Sequence, residues 1–112
     1  MKVITFNVDA QGRRHSPSDT EPAIVGEGGG YFYYLHGKAH RISGPAKQYP
    51  DGSVEFAIQG IVLSEKNHKA VVAEAKARNI DLNQEYSEEM NALLTPYSIF
   101  PKKRVFNITL DA

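Results

Sequence analysis

Tyr34-Leu35-His36-Gly37-Lys38-Ala39-His40-Arg41-Ile42-Ser43-Gly44-Pro45-Ala46, followed after Lys47-Gln48-Tyr49 by Pro50-Asp51-Gly52, is the stretch whose reading decides the fold. It holds two turn signals of different kinds. His36-Gly37 stands where an Asn-Gly pair would close a two-residue hairpin, with the glycine supplying positive φ. Pro50-Asp51-Gly52 suits a three-residue loop with a bulge. Proline presets the first φ, aspartate favours the next position, and glycine accepts the left-handed one. Val54-Glu55-Phe56-Ala57-Ile58 then alternates apolar with smaller or polar residues, as a strand with one buried face does. Gly44-Pro45 ends the intervening loop, because the residue before proline disfavours helix.

The same grammar recurs upstream. Pro22-Ala23 returns as Pro45-Ala46, Gly29 as Gly52, Tyr33 as Phe56, Leu35 as Ile58 and Gly37 as Gly60, all at an offset of 23 residues. Gly12 and His15 return as Gly37 and His40 at an offset of 25, because the first copy has the longer loop, Ser16-Pro17-Ser18-Asp19-Thr20-Glu21. Its wider turn is Gly26-Glu27-Gly28-Gly29-Gly30, and its outgoing strand is Tyr31-Phe32-Tyr33-Tyr34-Leu35. Those glycines read as a hairpin turn rather than a phosphate loop. No Gly-Lys-Ser/Thr follows, and a strand comes next instead of a helix N-terminus.

On these residues the unit resembles a variant MORN-type repeat, which runs aromatic, Asn-Gly-Lys, His-Arg, Gly-Pro-Ala, Asp-Gly and a second aromatic. The match spans Tyr31 to Gly60, with His36 in the asparagine position and no tryptophan in the chain. Such units occur in bacterial, bacteriophage and large-virus proteins. The resemblance implies stacked antiparallel hairpins rather than an active site. It also implies an accessory protein that inhibits a host or defence protein by covering its surface.

After Gly60 the period changes. Ser64 is placed to cap a helix beginning at Glu65, in which Ala70, Ala73, Ala77 and Ile80 form a stripe widened by Val71 and Val72. A second helical segment fits Ser87 to Leu94, with Tyr86, Met90, Leu93, Leu94 and Tyr97 on one face and Pro96 ending it. Val105 to Leu110 alternates as a final strand, and Ile4, Phe6 and Val8 do the same at the N-terminus. The expected fold is therefore α+β. An antiparallel sheet of tandem hairpins has its apolar face covered by one or two C-terminal helices, and a last strand follows. The expected organisation is a single domain over 1–112, with hairpins at 12–60, helices at 64–96 and the strand at 104–110.

Composition narrows function mainly by exclusion. The 112 residues include 13 basic and 13 acidic side chains, so the formal net charge is zero and nothing favours nucleic acid as the main partner. Cysteine is absent, which removes disulfides, thiolate metal sites and thiol nucleophiles. The N-terminus turns polar too early for a signal peptide, and no apolar run approaches the roughly 20 residues that span a bilayer. The expected setting is the cytoplasm, that of the host for a phage protein.

The histidines are the side chains to weigh for chemistry. His15 and His40 occupy equivalent repeat positions, which suits a ring that holds a loop by hydrogen bonds to backbone better than one catalytic group. His36 and His40 are four apart, but Gly37 between them implies a turn, and no carboxylate completes a metal-binding trio. No serine sits in an elbow motif, so no catalytic residue, metal or cofactor is assigned. The aromatic run is the best binding candidate. Tyr31, Tyr33 and Leu35 share one face, and Phe32 and Tyr34 share the other. The expected function is non-enzymatic protein binding through Tyr31, Phe32, Tyr33, Tyr34, His36, His40 and Arg41. The alternative is a small-ligand or nucleic-acid module on the same aromatic face, aided by Lys38, Arg41 and the Lys102-Lys103-Arg104 cluster.

Overall fold

The computed structural model describes residues 2–98, so the expected strand at 104–110 and the basic cluster Lys102-Lys103-Arg104 lie outside the described residues. The chain runs β1 (Val3–Phe6), β2 (Ile24–Gly26), β3 (Tyr31–Phe32), β4 (Tyr34–Leu35), β5 (Lys38–Ala39), β6 (Lys47–Gln48), β7 (Val54–Ile58) and β8 (Ile61–Leu63). Helices α1 (Glu65–Ala77) and α2 (Glu88–Leu94) follow, with a 3-10 turn at Thr95–Tyr97. Six strands form one sheet in the order β1-β2-β3-β6-β7-β8, and β4 pairs with β5. Every pairing is antiparallel, and the fold is α+β with hairpin strands.

The 23-residue repeat is a repeat of hydrogen-bond register. Ile24 faces Phe32 and Val25 faces Tyr31 in the first hairpin, and Lys47 faces Glu55 and Gln48 faces Val54 in the second. The tighter hairpins repeat as well: Tyr34 to Ala39 and Leu35 to Lys38 become Ala57 to Val62 and Ile58 to Ile61. Turn chemistry fixes both registers. Around Pro50-Asp51-Gly52, the Tyr49 N–H donates to the Ser53 carbonyl and the Gly52 N–H to the Tyr49 carbonyl, with Gly52 at φ 90°. At the two-residue turns both central residues take positive φ, His36 at 46° with Gly37 at 86° and Gln59 at 51° with Gly60 at 80°. That is the type I′ signature whose twist matches the flanking strands.

Both helices start where the sequence places them. The Ser64 Oγ accepts the Asn67 N–H at 3.1 Å, and the Ser87 Oγ accepts the Met90 N–H at 3.2 Å. The buried stripe of α1, however, is His68, Val71 and Ala75, while Ala73 and Ala77 are exposed. The alanine periodicity pointed to a neighbouring face. Val71 and the His68 ring bury more surface than alanine methyls, and they set the rotation. Ile58, Ile61 and Leu63 pack with Val71, Ala75, Leu82, Met90, Leu93 and Leu94 in the core.

Among the described residues, cover of the sheet is one-sided and local. Only Ser64 separates β8 from α1, so the helix must fold back over the strands it has just left, and it packs on β7 and β8. The N-terminal strand lies at the opposite edge. The helices therefore do not reach Ile4, Phe6 and Val8, whose side chains are 65%, 57% and 45% exposed.

Candidate interaction face

The repeat histidines come first, because they show which polar groups are already committed. His40 Nδ1 accepts the N–H of Gln59 at 2.9 Å, and His15 Nδ1 accepts the N–H of His36 at 3.0 Å. Donor and acceptor each occupy equivalent positions in successive units, and in both cases the donor is the first residue of a type I′ turn. An accepting Nδ1 carries no proton, so the neutral His40 ring holds its hydrogen on Nε2 and donates it to Asn83 Oδ1 at 2.7 Å. Burial pushes the His40 pKa down, and it does the same at His15 with help from the neighbouring His36. These rings are hairpin clasps, as their recurrence predicted.

His36 has a different role. Its Nδ1 lies 2.7 Å from Asp9 Oδ2, and its ring stacks on His15 with centroids 4.2 Å apart. The His36 hydrogen bond, joined by the Arg13 and Gln11 backbone N–H groups, holds the Asp9 carboxyl well below the usual carboxylate range. Asp9 therefore anchors the first turn to the second. Among the described residues no group of three or more His, Cys, Asp or Glu is placed to hold a metal ion. His68, for which sequence alone suggested no role, is buried and donates Nε2–H to the Arg41 carbonyl at 2.7 Å. The long first-copy loop also has a purpose. The Asp19 carboxylate accepts the N–H groups of Ile42 and Ser43, and the Asp19 carbonyl accepts Arg41 Nε–H at 2.9 Å.

The registers divide the aromatics between two faces. On the helix side lie Tyr31 and Tyr33, edge to face at 5.7 Å, with the Arg41 guanidinium 3.9 Å from the Tyr33 ring centroid. Tyr33 is buried, and its hydroxyl pKa is raised by that burial. Phe56 continues this side and meets the His68 ring at 5.2 Å. The other face carries a lateral row, Phe6 opposite Ile24 and Ile24 opposite Phe32, continuing to Lys47 and Glu55. Tyr49 meets Phe32 edge to face at 5.6 Å, and Arg14 and Lys47 lie over the Tyr34 ring at 5.5 and 5.7 Å. Val3, Phe6, Val8 and Tyr49 all belong to this face and are 50%, 57%, 45% and 37% exposed. Exposed apolar side chains on one face with charged side chains beside them make it the candidate interaction face.

No family model, curated protein or solved structure matches the chain. The functional reading therefore rests on the geometry.

Of the residues singled out from sequence, Phe32 and Tyr34 lie on the open face, whereas Tyr31, Tyr33 and Arg41 pack on the helix side. His36 and His40 are held in turn contacts. Tyr33, Tyr34 and His40 do meet around a small cleft with His15, Ser18 and Asn83, but its volume is about 180 Å³. That is below the roughly 300–1,000 Å³ of ordinary ligand pockets. Sequence reasoning missed Ile24, Arg14 and Lys47 as members of the open face. Ile24 and Lys47 are equivalent repeat positions, a signal that was available in the offset of 23.

Proposed function

We propose that the protein is a non-enzymatic protein-binding factor that docks the Phe6–Ile24–Phe32 face on a partner. The observation that supports this most directly is the run of exposed Val3, Phe6, Val8 and Tyr49 around that row. The charged rim of Arg14, Lys47 and Glu55 is suited to orienting the partner, since rim charges steer encounter more than they add affinity. In its specific form this is a MORN-like accessory factor of phage or bacterial origin, acting in the cytoplasm by covering a host or defence protein. That form rests on the repeat resemblance. No helix among the described residues is long and apolar enough to cross a membrane.

The alternative, a small-ligand or nucleic-acid site built on Lys38 and Arg41, has weaker support because both cations lie on the helix side, away from the exposed apolar row. Lys38 Nζ lies over the Tyr86 ring at 5.1 Å, and Arg41 serves Asp19, Pro45 and the Tyr33 ring. The test is quantitative affinity capture from host lysate after nuclease treatment, comparing wild type with Phe6→Ser and Tyr49→Ser. Phe6 is 57% exposed, so the melting temperature of Phe6→Ser should hold. Tyr49→Ser, which also loses its ring contact with Phe32, is scored at a temperature where it is fully folded. Capture of the same proteins should fall at least about tenfold, equivalent to about 1.4 kcal/mol. Equal capture by stable variants would reject this face.

A further inference from the structure

The two ends of the hairpin array are finished differently. At β8 the chain turns through Ser64 into α1, which packs back on the face of β7 and β8. At β1 the sheet ends, among the described residues, on a strand with no outer neighbour. The Asn7 N–H donates to the Ala23 carbonyl at 2.7 Å and the Asn7 carbonyl accepts the His15 N–H at 3.0 Å, so Asn7 spends both backbone groups on the inner side. In an antiparallel ladder such residues alternate with ones whose groups point away. Phe6 and Val8 therefore direct their N–H and C=O outward, to the open edge. Natural sheets blunt such edges with lysine, proline or inward charge. Residues 3–8 contain none of these. Among the described residues the devices present are the four-residue length of β1 and a register shift between Val3 and Thr5, which leaves the Phe6–Val8 end regular.

We propose that this edge pairs with the β1 edge of a second copy, antiparallel and about a two-fold axis centred on Asn7, to give one sheet of twelve strands across two protomers. Three observations favour a second copy. Every neighbour in the existing sheet is antiparallel, and a two-fold normal to the sheet continues that alternation while satisfying both edges at once. Residues 3–8 carry no charge and the chain has no net charge, so nothing repels an identical copy. Centring on Asn7 sets Phe6 opposite Val8 of the second copy on both sides of the axis, joining exposed apolar side chains and keeping the register shift out of the ladder. The open faces of both protomers then lie on the same side, giving a partner two adjoining surfaces. A contact confined to one short strand on each side is smaller than the roughly 1,600 Å² of a standard interface, so the dimer should dissociate in the micromolar range.

Sedimentation of the full chain from low to high micromolar concentration tests this without any partner, so its outcome is separate from that of the capture experiment. A reversible monomer–dimer equilibrium is expected. Val8→Lys, placed at an exposed outward position, should weaken it at least tenfold with an unchanged melting temperature. A wild type monomeric throughout, or a dimer indifferent to Val8→Lys, overturns the proposal. Register is read separately. Opposed residues that do not exchange hydrogen bonds lie about 4.5 Å apart at Cα, within disulfide range. The chain has no cysteine, so Asn7→Cys can cross-link only between copies. Rapid disulfide dimer from Asn7→Cys but not from Thr5→Cys supports the axis at Asn7. The reverse pattern overturns it.

Discussion

The two clasp histidines make the same bond in different surroundings, and replacing each with alanine should separate the bond from its burial. His40 is 5% exposed and its donor residue Gln59 is 6% exposed. His40→Ala strands the Gln59 N–H where water has poor access. A buried unsatisfied donor costs on the order of 1–3 kcal/mol, and the void left by the ring adds to it. A total loss of about 2–4 kcal/mol follows, which for a domain near this size lowers the melting temperature by about 10–20 °C. His15→Ala frees the N–H of His36, an exposed residue that water can solvate, so the loss there should be about 1 kcal/mol or less. His40→Asn should fall between wild type and His40→Ala, because its carbonyl oxygen can take the Nδ1 role while the bond to Asn83 is lost. Urea unfolding followed by far-UV circular dichroism gives all four stabilities. Equal losses at His15 and His40, or a larger loss at His15, would refute the argument that burial makes the second clasp the stronger one.

Three more outcomes follow from the same geometry. Folding lowers the pKa of His40 and His15 below the ordinary 6.5, so the unfolded chain takes up protons first on acidification. Their contribution is complete above 6.5 and is lost as pH falls toward the folded values; the urea midpoint should drop between pH 7.5 and 5, and a flat or rising midpoint contradicts this. Gly52 sits at φ 90° with no atom within 4 Å of where a β-carbon would stand, so Gly52→Val should lose about 1–2 kcal/mol from backbone strain alone, read as a lower melting temperature. Ser64→Ala removes the α1 cap and should lose about 1 kcal/mol in the same assay, whereas Ser53→Ala, on an exposed turn, should lose less.

The hairpins were legible because their determinants are local. Pro50-Asp51-Gly52 and His36-Gly37 each specify a turn within a few residues, and a turn fixes the register of the strands beside it. The repeat offset then carried that reading to the first copy and matched Gly37 to Gly60. The hairpin closed at Gln59-Gly60 by Ile61–Leu63 was not read, because three apolar residues are too few to show alternation. The faces of the aromatics were also legible, since strand alternation separates Tyr33 from Tyr34 whatever lies above them. What could not be read was which face would be covered. That depends on the path of α1 after Ser64, and on contacts such as His68 to the Arg41 carbonyl and Asp19 to Ile42, whose partners lie more than 20 residues apart. The alanine stripe of α1 misled for a related reason. Apolar periodicity marks candidate faces, but the buried one is chosen by the larger side chains and by the polar group that finds a partner.

The open face follows from how the array ends. A hairpin repeat buries its side chains against the next unit, so a terminal unit needs a cap or leaves surface exposed. Here the second unit ends in β8 and the chain spends α1 and α2 on that end, where Ile58, Ile61 and Leu63 are 0%, 9% and 2% exposed. Among the described residues the first unit receives β1 and the 9–21 segment. That segment holds its own turn through Asp9 and the 41–43 loop through Asp19, both on backbone and ring contacts away from the Phe6–Ile24–Phe32 row. The polar groups near the first unit are therefore consumed in fixing loops, while its apolar row is left without a described neighbour. A core that had simply failed to close would be expected to leave polar groups unpaired as well. No buried side-chain nitrogen or oxygen among the described residues lacks a partner. Paired buried polar side chains beside an exposed apolar row are what the proposed binding face requires.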